Sequence, residues 1–324
     1  SGVTPMPALF LDQHGSSLGF QGNQLIVKSP DQNPVGFPIH QVDRVVVSGQ
    51  THFSHAALKA LLNEGISTLF CSSSGWLYGH LASETNGQVQ RRAAQYRVMT
   101  CPEQALATAK KLIQAKLQSQ VRLFHQWEVS TRGLIRYRNK IDRATDLDSL
   151  RGYEGTLARV YYAGFRQQLL DTPFRFENRQ QRPAPDPINS VLSLGYTLLL
   201  GEAVLATQSV GLDRYAGTLH SADGSKPSFA LDMMEPFRII VDRLVIQLAR
   251  HEYRPDDFVM TDEGCRCRDG RRGVLYQAWD ELMNRTIHWQ GESTSYRRLI
   301  QLQAGRWAAW YDEPDTTLEL WSLA

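Results

Sequence analysis

The sequence predicts an α+β protein, with an N-terminal β-rich domain followed by a larger all-α catalytic domain. Three observations carry this. Residues 8–82 hold short apolar runs broken by Gly and Pro, the punctuation of brief strands. From about residue 103 the apolar residues recur at helical spacing over long windows. Between the two, residues 84–92 are polar and contain a glycine, which reads as a linker. The predicted boundaries are 1–84 for the β-rich domain, 85–103 for the linker and 104–324 for the helical domain.

Within the first domain, residues 8–11, 24–27, 37–40 and 44–47 read as strands, with a turn over 15–19. Ser54 is placed to cap a helix over His55–Asn63, which ends near Gly65. Two more strands, 68–71 and 76–78, flank a Ser-Ser-Ser-Gly turn. In the second domain, Leu106, Ile113, Leu117, Val121, Phe124 and Trp127 keep one apolar face along a long helix. Lys110, Lys111, Lys116 and Arg122 are expected on its other faces. A second helix covers 147–170, with Leu150, Leu157, Val160, Tyr161 and Phe165 inward. Pro187 suits the first turn of a third, which runs to about Ser209 and stops at Gly211. Helices over 231–250, 273–286 and 296–311 complete the domain. Pro173, Pro183, Pro185 and Pro187 make residues 171–187 an irregular loop.

Hydrophobic residues are 42% of the 324 and charged residues 21%, which excludes a disordered or fibrous chain. Four cysteines in a chain this long make no disulfide framework, so a reducing, cytoplasmic setting is expected. Cys265 and Cys267 lack a second Cys/His pair at zinc spacing. The most apolar stretch, 188–212, is interrupted by Asn189, Gly195, Glu202 and Gln208, which fits a buried helix and not a membrane span. The first residues do not read as a signal peptide. They are Ser-Gly, not Met, so native sequence upstream is expected.

The net charge of +2 hides a strong segregation. Residues 91–182 carry 18 basic and 8 acidic groups, whereas 183–324 carry 14 basic and 20 acidic. A polyanionic partner fits the cationic third, because the arginine fork matches phosphate oxygens. Pairing with the acidic last third is the competing explanation.

Three segments place polar groups where a helix would otherwise be apolar. Glu154 lies in Arg151-Gly152-Tyr153-Glu154-Gly155, one turn before the inward Leu157 and Ala158. His220 closes Gly217-Thr218-Leu219-His220 beyond the third helix. Asp232 and Glu235, at i and i+3, share one face at a helix start. Each has an ordinary reading as a surface, packing or capping residue. Together Glu154, His220 and Glu235 permit a divalent-cation site, but spacing alone does not demonstrate it.

In order along the chain, these segments resemble the CRISPR-associated integrase family, the metal-dependent nucleases that acquire spacers. The resemblance includes Tyr153-Glu154-Gly155, Asp186-Pro187-Ile188-Asn189, Leu192 to Tyr196, Gly217 to His220, Ser228 to Arg238, and Ser295-Tyr296-Arg297-Arg298. It implies that Glu154, His220 and Glu235 are catalytic metal ligands for Mg²⁺ or Mn²⁺. It implies that Asp232, Asn189, Tyr196 and Arg238 support them. Asn189 and Tyr196 suit helix packing equally well. Arg132, Arg136, Arg138, Lys140 and Arg143, with Arg159 and Arg166, are the expected contacts to double-stranded DNA. The resemblance further implies a homodimer formed through the β-rich domains, bridged by a small ferredoxin-like adaptation protein. Some relatives are fused to a reverse transcriptase. The implied activity is insertion of short DNA fragments into a repeat array by transesterification with a 3′-hydroxyl. Two alternatives remain open: a transposon-type integrase with the same site, and a DNA-binding scaffold without activity.

Overall fold

The computed structural model describes residues 8–72, 77–83, 88–180, 183–220 and 226–323. The α+β class holds. Two compact units form, one from Ser1–Glu84, Arg182–Thr197 and Arg254–Asn284, the other, larger, from Thr85–Gln181, Leu198–Tyr253 and Arg285–Ala324.

The smaller unit begins with β1 (Ala8–Leu11), β2 (Ser16–Gln21), β3 (Gln24–Lys28), β4 (Val35–Pro38), β5 (Arg44–Val47) and β6 (Thr51–Phe53). Then come α1 (His55–Asn63), β7 (Ser67–Cys71) and β8 (Leu77–Leu81). One sheet has the order β1-β5-β7-β8, parallel except for β8, and the other has the order β4-β3-β2-β6. Leu11, Leu18, Leu25, Val45 and Leu61 are buried in their common core. Each such side chain contributes about 1.5–3 kcal/mol by leaving water. Ser54 caps α1 as expected, its hydroxyl accepting from the Ala57 amide at 3.1 Å. The turn expected over 15–19 is shorter. Gly15 makes the reversal at φ 81°, and Ser16 already faces the core at the start of β2. Of the expected strand 76–78, Trp76 lies outside the described residues, as does most of the Ser-rich turn before it.

The larger unit opens with α2 (Val89–Thr100) and α3 (Pro102–Gln126), followed by α4 (Arg132–Ile135), α5 (Arg138–Asp142) and α6 (Leu147–Gln167). Thus the expected linker 85–103 carries a helix. Its residues 85–87 lie outside the described ones. Gln95, fully buried on α2, donates to the Asp213 carbonyl and accepts from the Asp213 amide, both at 2.8 Å. Polar composition concealed this, because α2 is held by side-chain hydrogen bonds more than by an apolar stripe. Next comes α7 (Pro187–Ser209), which belongs to this unit from Leu198 on, with α8 (Ser228–Met234) and α9 (Arg238–His251) after it. The single helix expected over 231–250 is broken by a 3₁₀ turn, Glu235–Phe237. Pro236 has no amide hydrogen, so the α ladder cannot run through. Among the described helices α7 alone is long and apolar enough to cross a membrane, but 78% of its most apolar window is buried, as suits a core helix.

A hairpin of β9 (Phe258–Thr261) and β10 (Gly264–Cys267) precedes α10 (Arg272–Asn284), and both pack with the first eight strands. Tyr276 on α10 stacks on Phe10 at 4.8 Å and donates to the Ser48 hydroxyl at 2.7 Å. A second hairpin, β11 (Thr286–Trp289) with β12 (Glu292–Ser295), leads to α11 (Tyr296–Asp312) in the larger unit. The boundaries 1–84 and 104–324 therefore do not coincide with the compact units. Periodicity identifies an element but not the unit on which it packs.

All four cysteines are free thiols. Burial pushes the Cys71 thiol up to about 12. Burial, with the Asp186 charge, pushes Cys265 to about 11. At pH 8 an aromatic disulfide reagent is expected to label only Cys101 and Cys267 rapidly, and all four after denaturation. Rapid labelling of Cys71 or Cys265 in the folded protein would contradict this packing.

Candidate functional site

The site lies within the larger unit, where α3 packs against α6 and against the 3₁₀ turn. Asp146 starts α6, its carboxylate accepting from the Ser149 amide at 2.7 Å. Two turns later the helix presents Glu154, 28% exposed. The interruption at Pro236 carries Glu235 inward, where only 2% of its side chain is exposed.

Asp232 organises the third component. Its carboxylate, 1% exposed, accepts from the amides of Thr218 at 2.6 Å, Leu219 at 2.9 Å and His220 at 3.0 Å. His220 Nδ1 lies 2.7 Å from the same carboxylate. An ionised carboxylate can only accept, so Nδ1 carries the hydrogen and Nε2 is left as the available nitrogen. Nε2 lies 3.9 Å from Glu235 Oε1. Gly217 permits this turn, since a Cβ there would sit 2.6 Å from the Ser228 carbonyl carbon. Arg151 on α6 donates to the Leu219 carbonyl at 2.8 Å and ties the turn to the helix bearing Glu154.

Lys116 does not lie apart from the apolar face of α3: it is buried in the middle of that helix. Its ammonium donates to Glu154 Oε1 and lies 2.7 Å from Glu235 Oε2. Arg238 donates to Glu235 Oε1 at 2.7 Å. Burial opposes charge on Lys116, yet the carboxylates of Glu154 and Glu235 outweigh it and raise its pKa. Burial likewise opposes the Glu235 charge, but Arg238, Lys116 and His220 hold that carboxyl well below its usual range. For His220, burial is outweighed by the Asp232 hydrogen bond and charge and by Glu235, so its pKa is raised.

Two acids and an imidazole nitrogen are thus gathered by folding from separate elements. Among the described residues no three His, Cys, Asp or Glu side chains converge closely enough to hold an ion as they stand. The reason is visible: the Lys116 ammonium contacts both Glu154 and Glu235. The donor set nevertheless fits a divalent cation. It offers two carboxylates and an oriented imidazole, and Glu235 Oε2 is buried without a well-aligned hydrogen bond.

Asp232 contacts His220 and Arg238 contacts Glu235. Asn189 and Tyr196 lie in the part of α7 assigned to the smaller unit. Asn189 is fully buried, and its amide and side chain donate to Asp186 at 2.8 and 2.7 Å, so it serves the start of α7. Tyr196 is buried. Lys116 and Arg151 escaped sequence reasoning. Lys116 had a signal, for it continues the series Ala109, Ile113, Lys116, Gln120 and Leu123, all buried.

The basic residues divide differently. Arg132, Arg136, Arg138, Lys140, Arg143, Arg159 and Arg166 are all exposed on or beside α4, α5 and α6. Among the described residues none of the seven forms an ion pair, so pairing with the acidic last third does not account for them. Arg136 and Lys140 lie over the ring of the buried Tyr137 at 5.4 and 4.9 Å.

Residues 9–281 match the family described as CRISPR associated protein Cas1. A CRISPR-associated endonuclease Cas1 of Thermus thermophilus is 30% identical over 302 residues, covering 92% of this chain and 94% of the relative. A casposase solved bound to integration product superposes with a TM-score of 0.87 at 25% identity, covering 97% of this chain and 93% of the casposase. A Cas1 protein from Thermotoga maritima shares the fold, with a TM-score of 0.86 at 21% identity and coverage of 98% and 99%.

Removing the Asp232 carboxylate leaves three amides, two of them buried, without their acceptor. Asp232→Ala is expected to destabilise the metal-free protein by about 3 kcal/mol or more in urea denaturation. A loss below about 0.5 kcal/mol, the scale of a surface substitution, would show that the 218–220 turn does not depend on it.

Proposed function

The chain belongs to the Cas1 family of CRISPR-associated proteins, and from that premise we propose that it is a divalent-metal-dependent DNA integrase and endonuclease that inserts short DNA fragments into a repeat array. The observation that carries the reading is the gathering of Glu154 and Glu235 around the Lys116 ammonium, with His220 Nε2 3.9 Å from Glu235 Oε1. These three would hold Mg²⁺ or Mn²⁺, and the imidazole favours Mn²⁺. When bound, the ion lowers the pKa of an oxygen nucleophile and offsets charge gathering on the phosphate.

The protein's own groups do the rest. Asp232 holds Nδ1–H and so aims Nε2. Arg238 fixes one oxygen of Glu235. The seven exposed cations neutralise phosphates of double-stranded DNA along α4 to α6, with little regard to base sequence. In the reaction, the fragment's 3′-oxygen forms a bond to a phosphorus of the repeat while that phosphorus loses its original 3′-oxygen. One phosphodiester replaces another, and the attacking hydroxyl's proton ends on the departing 3′-hydroxyl. No side chain need form a covalent bond to DNA.

The assembly we propose is a homodimer through the β-rich units, bridged by a ferredoxin-like adaptation protein and acting in the cytoplasm. A reverse transcriptase fused to the chain is compatible with it. Exposed Val35 and Tyr78 on the edge strands β4 and β8 support strand-side association. The casposase likeness favours a second reading, a transposon-type integrase using the same site on other DNA ends. Supplying repeat-bearing plasmid and terminal-repeat DNA as competing substrates separates the two. A scaffold without activity would transfer neither.

His220→Ala is expected to cut strand transfer of a labelled duplex by at least about 100-fold, with DNA affinity changed only several-fold. Undiminished integration by that variant, in controls stripped of metal, would refute the assignment. Arg132→Gln, Arg138→Gln and Arg143→Gln combined should weaken binding to all duplex sequences alike. The slope of log affinity against log salt should fall by about 0.9 per lost phosphate contact. An unchanged slope would remove these residues from the DNA path.

A further inference from the structure

Lys116 is a buried charge for which the catalytic reading supplies no role. Its stem rises from the middle of α3, so it cannot leave by fraying of a helix end. Its ammonium touches both acids of the proposed ligand set, yet only the bond to Glu154 is well aligned. One turn further along α3, on the same face, Gln120 is 3% exposed and its Oε1 is buried with no hydrogen-bond partner. A residue at i+4 is within reach of a lysine side chain. A costly unpaired acceptor therefore stands next to a cation with a second place to go.

We propose that Lys116 is a built-in counter-ion that holds Glu154 and Glu235 together in the metal-free protein and yields their shared position to the divalent ion, its ammonium moving to Gln120 Oε1. The proposal rests on the metal-dependent reading of this site. In the metal-free state Lys116 cancels the repulsion that would otherwise splay the acids or protonate one of them. The same contact competes with the ion, so part of the metal affinity is given up to keep the ligands assembled. Gln120 offsets that loss by accepting the displaced ammonium. Lys116 is thus a positioning residue.

The test uses the full chain, stripped of metal and titrated with Mn²⁺ alone by calorimetry, with thermal denaturation followed with and without the ion. Lys116→Met should lower the metal-free midpoint, enlarge the Mn²⁺-induced rise and tighten the Mn²⁺ Kd by about tenfold. Lys116→Arg keeps the charge and should bind Mn²⁺ no better than the unaltered protein. Gln120→Leu removes the second acceptor and should weaken Mn²⁺ binding several-fold. An unchanged or weaker Kd in Lys116→Met overturns the proposal. Should that variant fold only with Mn²⁺ or not at all, Gln120→Leu decides, and an unchanged Kd there overturns it. Failure of the unaltered protein to bind Mn²⁺, or undiminished binding by His220→Ala, would instead refute the metal-site reading.

Discussion

Two carboxylates three residues apart, Asp232 and Glu235, are almost completely buried, and the site is built around satisfying them. Burying a charge without partners is among the costliest arrangements a protein can adopt. Asp232 answers that cost with backbone amides and so determines the path of residues 218–220. Glu235 answers it with Lys116 and Arg238, and so draws α3 and the start of α9 to one point. Between α8 and α9 the chain passes through the 3₁₀ turn at Pro236, whose missing amide hydrogen ends the α ladder.

The turn carrying Glu235 is held from its other side by the last residues of the larger unit. Trp321 stacks on Phe237 with centroids 4.4 Å apart and planes 4° from parallel. Gln303 holds that segment through the Trp321 amide at 2.7 Å and the Glu319 carbonyl at 3.1 Å. Arg122 and Ser119 on α3 bind the backbone of Leu323. The helix that supplies the buried cation therefore also grips the strap behind the buried acid. Such mutual support gives a charged cluster one geometry instead of several.

Positive charge in residues 91–182 is used in two opposite ways. Lys116 is shielded from water and interacts strongly with its neighbours, because little solvent screens it. The seven basic side chains on and beside α4 to α6 stand in water, where a partner's phosphates can reach them and salt can compete. A count of charges cannot separate these uses. Burial does, and with it the distinction between groups that shape the site and groups that can track a polyanion.

The α+β class and the helix spans of α1, α3 and α7 were legible in the linear chain. Each depends on local spacing or on the chemical type of a side chain, and Ser54 before α1 is a local cap. The role of α2 and the placement of 254–284 with the strands were not. They depend on which surfaces meet across long separations. Lys116 stands between the two cases. Its place in the buried series of α3 is local information, but its partners lie 38 and 119 positions away, as read from the sequence numbers. Sequence alone determined which ionisable groups this protein possesses. Tertiary structure alone decided which of them lose their water together, and an ionisable group's chemistry is governed by that loss.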